Sequence, residues 1–127
     1  MNWDEAKLII KNNYECKEDS FIYFLHEKGK FSTQQFWEYY DSVVCLVQCT
    51  KERNHKEAMR ITNCYESILK FIIYHFDPND LYEISNFPNN YGEYLERLEY
   101  AIMAYRTENM KLLDDSTFAL QRESKKV

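Results

Sequence analysis

Apolar residues recur along three long stretches of the chain at the spacing of one helix face. The stretches cover residues 32–53, 55–76 and 91 to about 109. In each of them apolar side chains follow i, i+3, i+4 and i+7, as in a helix that packs one face into a core. The pattern therefore predicts three long amphipathic helices.

Polar residues mark where helices should begin and end. Four of them stand three residues before a Glu or Gln, which is the spacing of a capping box. Asp77-Pro78 offers a fifth start, because proline is tolerated at the first helical position. Gly29 marks a stop. The four capping positions are Asn2, Ser32, Asn54 and Asn90. Shorter helices are expected near residues 3–12, 19–28, 79–85 and 110–122.

These elements predict an all-α fold. At 127 residues the chain fits one domain, and we expect residues 1–127 to form a single-domain antiparallel helical bundle with two or three long helices and several short ones. The short connection at Asn54 favours antiparallel neighbours, with the 91–109 helix packed on that hairpin. Residues 21–25 are nearly all apolar, so a short strand stays open there.

The four cysteines are expected to be free thiols. They are Cys16, Cys45, Cys49 and Cys64, and most of them lie inside helical patterns, where cysteine behaves as a small apolar residue. An antiparallel turn at residue 54 would bring Cys45 level with Cys64, and whether the two pair stays open. The acidic start of the chain is unlike a signal peptide, and no apolar run reaches the roughly 20 residues of a membrane span. A cytoplasmic protein is expected.

No motif for catalysis, metal binding or phosphate binding is found, so we expect neither an enzyme nor a cofactor. Glu52 and His55 form a single Glu-x-x-His half-site, whereas di-iron bundles use two. Cys45 and Cys49 supply two thiols, whereas structural zinc takes four ligands. Asp77 to Asp80 lacks the glycine and glutamate of a calcium loop. His75, at a helix end, is expected to act there as a cation.

Charge is concentrated in one region. Residues 77–115 contain nine carboxylates against three bases, a net charge of −6, in a chain whose total is −5. This balance disfavours nucleic acid as a partner, and Glu93 with Arg97 reads as an ordinary surface pair. Carboxylates mixed with tyrosines suit a surface that binds a basic protein. The predicted partner-binding residues are Asp77, Asp80, Glu83, Tyr91, Glu93, Tyr94, Glu96 and Glu99.

In overall character the chain resembles the immunity proteins of bacterial polymorphic toxin and contact-dependent growth inhibition systems. The resemblance is carried by small size, acidity, tyrosine content and the segments Met1-Asn2-Trp3-Asp4-Glu5-Ala6 and Phe36-Trp37-Glu38-Tyr39-Tyr40-Asp41. It implies a cytoplasmic protein that binds and blocks a cognate toxin, often a nuclease with a cationic active site. A helical adaptor or regulator with another cellular partner is the alternative, and a small enzyme has no positive support.

Overall fold

The computed structural model describes residues 1–49 and 54–123, which form five α-helices. These are α1 (Trp3–Tyr14), α2 (Phe21–Glu27), α3 (Thr33–Cys49), α4 (His55–Phe76) and α5 (Tyr91–Thr107). Two 3-10 helices follow at Met110–Leu113 and Asp115–Thr117. Apart from an isolated bridge between Lys30 and Ser85, the rest of the described backbone is irregular. Over these residues the all-α prediction is confirmed.

The predicted helix starts are confirmed for four of the helices, although their capping bonds differ. The Asn2 side chain accepts a hydrogen bond from the Glu5 backbone N–H at 2.8 Å, as a capping box requires. Asn54 instead accepts from the N–H of Lys56 at 2.9 Å. Asn90 makes no side-chain bond to the α5 backbone, and its amide donates to the Glu93 carboxylate at 2.6 Å.

Helix α1 has a larger role in the core than its length suggested. It packs against both α3 and α4, and α5 also contacts both. Among the described residues α3 and α4 approach each other less closely than either approaches α1. The core is therefore not built on a close α3–α4 hairpin alone, because α1, with Ala6 and Ile10 fully buried, packs against both helices. The predicted turn itself falls partly on residues 50–53, with Glu52, outside the described residues.

Two of the predicted short helices are not formed, and the open strand is resolved as a helix. Residues 79–85 contain no helix, and residues 110–122 form only the two 3-10 helices. After Pro78, the Asp77 and Asp80 side chains accept hydrogen bonds from the nearby N–H groups of Asn79 and Tyr82, which replaces helical pairing with tight turns. Residues 21–25 belong to α2, capped by Ser20.

The structure does not pair Cys45 with Cys64. Cys45 faces Cys49 on its own helix, with the two Sγ atoms 3.7 Å apart, while Cys64 interacts with the hydroxyl of Tyr39. All four cysteines are free. Within the described part of the chain, none of the helices has the length and apolar character that crossing a bilayer requires.

Candidate protein-binding surface

The C-terminal end of α4 and the segment after it expose an unusual amount of apolar surface. Leu81 is 99% exposed, Ile73 62% and Phe76 55%. Tyr74, which lies between Ile73 and Phe76, and Tyr91, at the start of α5, are also exposed. Single exposed apolar residues are common, whereas a group of them in neighbouring segments is typical of interaction surfaces. We call these five residues the apolar patch.

Aromatic stacking joins the end of α4 to the start of α5. The Phe87 ring lies 5.6 Å from that of Phe76 and 5.1 Å from that of Tyr91, and the Phe76 and Tyr91 rings are 5.4 Å apart. Each distance is within the range of favourable aromatic pairs. The three rings hold the part of the patch around Phe76 and Tyr91 together.

The segment 77–90 is fixed by its own polar side chains. Asp80 Oδ1 accepts from the Tyr82 N–H at 2.8 Å, which shapes the backbone around Leu81. The Tyr82 hydroxyl reaches α2 and donates to the carbonyl of Leu25. Ile84 is buried. Leu81 is therefore held in solvent between anchored neighbours, which lowers the entropy that it loses when a partner covers it.

A second set of contacts clamps this segment to the turn between α2 and α3. The Ser85 N–H donates to the Gly29 carbonyl at 2.7 Å, and the Asn86 amide donates to the Phe31 carbonyl at 2.9 Å. Gly29 has φ +55°, and a Cβ there would lie 2.8 Å from the Glu83 carbonyl oxygen. Glycine is required at this position for two reasons. Other residues are strained in the left-handed conformation, and their Cβ would clash with this carbonyl.

The expected cationic role of His75 is corrected by the structure. Its Nδ1 accepts a hydrogen bond from the Ile84 N–H at 2.9 Å, so that nitrogen carries no proton. The ring also packs 4.7 Å from Phe87. His75 thus secures the segment 77–90 as a neutral acceptor.

Carboxylates surround the apolar patch in the sequence, and most of them are exposed. Asp77, Asp80 and Glu83 belong to the same segment as Leu81, whereas Glu96 and Glu99 lie on the solvent side of α5, with Glu93 half-buried in its first turn. Among the described residues these six carboxylates form no ion pair with lysine or arginine. The only base between residues 77 and 99 is Arg97.

Arg97 is not the surface partner of Glu93 that the sequence suggested. It is fully buried, at 0% exposure. Its Nη1 donates to Asp115 at 2.7 Å and to the Tyr40 hydroxyl at 3.1 Å, and its Nη2 donates to the Leu120 carbonyl at 2.6 Å. Because this cation is neutralised inside, the exposed charge of residues 77–99 is negative throughout.

Of the predicted tyrosines, Tyr91 is exposed and Tyr94 is not. The Tyr94 ring packs 4.8 Å from Phe36 and 5.0 Å from Phe31, both core residues. Tyr94 is half-buried with its ring packed against the core, and its part in binding a partner stays a prediction. Sequence reasoning missed Ile73, Phe76 and Leu81, because the first two continue a helical apolar pattern and Leu81 was placed in a helix that does not form.

A polar cleft between α1, α2 and α4 gathers groups that catalysis sometimes uses, including Cys64, Cys16 and His26. Burial raises the pKa of the Cys64 thiol to about 12, and burial together with Glu27 raises the pKa of Cys16. Both thiols therefore stay protonated at neutral pH, and a thiol is a weak nucleophile. The His26 ring stacks on Phe71 at 5.5 Å and lies beside Glu27. The cleft therefore brings together two thiols and an imidazole, but neither thiol has the lowered pKa of a catalytic nucleophile.

No family model matches this chain, and no curated protein and no solved structure is similar enough to indicate a relative.

Proposed function

We propose that this chain is an immunity protein that binds and neutralises a cognate toxin, most simply a nuclease with a basic surface. The single observation that carries the proposal is the apolar patch, held next to carboxylates that form no ion pair among the described residues. The scaffold that we propose for it is a single-domain antiparallel bundle in the cytoplasm, and the chain acts by binding, without catalysis.

The patch supplies the contact area of such a complex. Apolar and aromatic side chains at the centre of an interface give most of its affinity, because they leave water on binding. Leu81 is the most exposed of these residues, while the tilted rings of Phe76 and Tyr91 form a broad platform. The tethers at Tyr82 and Ile84 fix these groups before the partner arrives, so little further ordering is needed.

The carboxylates supply attraction at longer range and selectivity for a basic partner. Asp77, Asp80 and Glu83 lie beside Leu81 in the chain, and among the described residues none of them forms an ion pair with lysine or arginine. Charges of one sign speed the encounter with a partner of the opposite sign, and salt screens this effect over roughly 10 Å. An acidic rim also disfavours nucleic acid, so the proposed surface competes with nucleic acid for a nuclease rather than binding it.

The test begins with the gene that precedes that of this chain, since an immunity gene is expected next to its toxin gene. Its product is expressed with and without the chain, and cell survival is measured. We then compare three variants in survival and in binding kinetics at low and high salt. Leu81→Asp should weaken binding at least about tenfold, through faster dissociation. Reversal of the exposed Glu83, Glu96 and Glu99 to Lys should slow association, and more so at low salt.

The matched control is Leu8→Asp, because Leu8 is an exposed leucine on α1 (55%), outside the patch. We expect it to bind and protect like the unmodified chain. Full protection by both the Leu81→Asp and the triple-reversal variants would contradict the proposed surface. A neighbouring product that is harmless to the cell would contradict the immunity function and favour the alternative, a helical adaptor that uses the same surface for another partner.

A further inference from the structure

His75 lies in the last turn of α4, where two influences oppose each other. The C-terminal end of a helix favours a cation. The hydrogen bond that the Ile84 N–H donates to the His75 Nδ1, at 2.9 Å, instead requires a neutral ring with its proton on Nε2. Histidine is the side chain whose charge ordinarily changes between about pH 5 and 8. The bond that holds Ile84 therefore depends on a group that can change its charge near neutral pH.

Protonation of the ring removes the acceptor completely. A neutral imidazole has one N–H and one bare nitrogen, whereas an imidazolium has two N–H groups and accepts nothing. A proton taken from solvent onto Nδ1 would therefore point at the Ile84 N–H. The Ile84 side chain is only 4% exposed, so the freed N–H reaches water only if the backbone around it moves. An unpaired buried N–H is costly, which makes that movement favourable.

The other contacts of the ring are apolar. Within the described part of the chain, the contacts seen for His75 besides the Ile84 bond are with the rings of Phe76 and Phe87. The titratable or charged side chains on the elements around the ring form no hydrogen bond or ion pair with it among the described residues. They include Tyr74 on α4, Asp77, Tyr82 and Glu83 in the segment 77–90, His26 on α2, Lys30 in the turn after it and Tyr91 on α5. A change of charge on the ring therefore acts through the Ile84 bond.

We propose that His75 makes the apolar patch sensitive to pH: protonation of Nδ1 releases the Ile84 N–H and loosens the backbone that holds Leu81. This inference rests on the binding surface proposed above and adds a regulation to it. Leu81 lies three residues before Ile84. The tethers at Tyr82 and Ser85 remain, so the change is local. With a neutral ring the patch is held ready for a partner, and with a charged ring it loses this preorganisation and binds less tightly.

The test follows the chain alone by NMR, on a ¹⁵N-labelled sample between about pH 8 and 5. The ¹⁵N shifts of the His75 ring identify its tautomer, and hydrogen exchange of the Ile84 amide, corrected for the intrinsic effect of pH, gives its protection factor. With a neutral ring we expect a bare Nδ1 and a protected amide. As the ring gains its second proton, the protection factor should fall at least about fivefold, the lower limit for an unpaired buried group. The Leu81 methyl resonances should shift with the same midpoint.

His75→Asn is the decisive variant, because the carboxamide oxygen of asparagine can replace Nδ1 as an acceptor and does not titrate. It should keep the Ile84 amide protected over the whole pH range. His55→Asn is the matched control, because His55 is an exposed histidine at the first position of the same helix. It should lose the protection of Ile84 at low pH exactly as far as the unmodified chain does.

The proposal is overturned by a proton on Nδ1 in the neutral ring, by a ring that stays neutral down to about pH 5, or by an Ile84 protection factor that does not follow the ring. An equal loss of protection in His75→Asn would also overturn it. Leu81 resonances that stay fixed throughout would overturn the regulation of the patch. Because no partner enters these measurements, the pH effect can fail while the proposed binding surface stands. A harmless neighbouring gene product would remove the immunity function and leave these NMR results unchanged.

Discussion

Two regions of the molecule combine aromatic rings with charge, and they use them in opposite ways. Beneath the C-terminal segment, Arg97 lies 4.1 Å from the Phe118 ring centre, and its donors are used by groups such as the Leu120 carbonyl. At the end of α4, Phe76 and Leu81 face solvent next to carboxylates without an ion-pair partner in the described residues.

The difference separates residues that stabilise the fold from exposed residues that we propose for binding a partner. A buried guanidinium is tolerated only when its donors are satisfied, and here the chain itself supplies every acceptor. In the apolar patch, Leu81 and Ile73 stay largely exposed to water, so they add little to the stability of the fold. We therefore expect variants in the first region to change stability, and variants in the second to leave stability almost unchanged.

The largest effect is expected for Arg97→Met. The Leu120 carbonyl and the Tyr40 hydroxyl would lose their donor, and each unsatisfied buried group costs about 1–3 kcal/mol, so we expect a loss of about 2–5 kcal/mol. Chemical denaturation measures it. Arg106→Met is the control, because Arg106 is exposed and donates only to Thr62 among the bonds seen, at 3.0 Å. Equal stability of the two variants would remove the distinction between the regions.

Gly29→Ala should come next, with a loss of about 2 kcal/mol. A left-handed backbone costs an L-residue roughly 1–2 kcal/mol, and the new Cβ would also press on the Glu83 carbonyl. Gly92→Ala is the matched control, since nothing lies within 4 Å of a Cβ there and α5 gains a better helix former. Thermal unfolding should move in opposite directions for the two variants. If the Gly29→Ala variant is as stable as the unmodified chain, the contacts between the α2–α3 turn and the segment 77–90 can adjust to a Cβ, which would contradict this prediction.

The bond from Tyr82 to Leu25 predicts a pH effect on the segment that carries Leu81. Burial raises the pKa of Tyr82 from 10.0 to about 12. Because folding favours the protonated phenol, its stabilising effect is complete below about pH 10 and is lost as the pH rises toward 12. Tyr82→Phe should cost about 1 kcal/mol at neutral pH and should lack this alkaline loss. Stability measured against pH, with the exposed Tyr74→Phe as control, checks it; identical curves would contradict the role of this bond.

The smallest effect on stability is expected for the reversal of the exposed Glu83, Glu96 and Glu99 to Lys. Exposed charges contribute little to folding, so the free energy of unfolding should change by less than about 0.5 kcal/mol. Denaturant melts of this variant and the unmodified chain should therefore coincide. A loss above about 1 kcal/mol would place these carboxylates with Arg97, as parts of the folded structure.

Sequence patterns were sufficient to predict the helices that are determined by residues close together in the chain. The starts of α1, α3, α4 and α5 follow from polar caps and apolar periodicity, both of which are read within a few residues. The 79–85 helix failed for a reason that is partly local too. Asp77 and Asp80 bond to their own backbone, and the final shape then depends on Gly29 and His75, which are distant in the chain.

The candidate site was predictable in charge and unpredictable in shape. The carboxylates of residues 77–99 were found by counting, since composition needs no tertiary structure. The burial of Arg97 depends on Tyr40 and Leu120, which lie 57 and 23 residues away, so a window around α5 shows only a normal surface pair. The exposure of Leu81 likewise follows from contacts with α2 that no local pattern records.

The clamp between Asn86 and Phe31 joins residues 55 positions apart. Closing a chain segment of that length costs about 3.5 kcal/mol of entropy, which a single hydrogen bond does not recover. The contact therefore becomes favourable only after α3 and α4 have formed and drawn its two ends together. The segment bearing Leu81 is then among the last parts of the chain to take its native shape during refolding. Binding through it would report a completed fold, and a partly folded chain would not engage a partner prematurely.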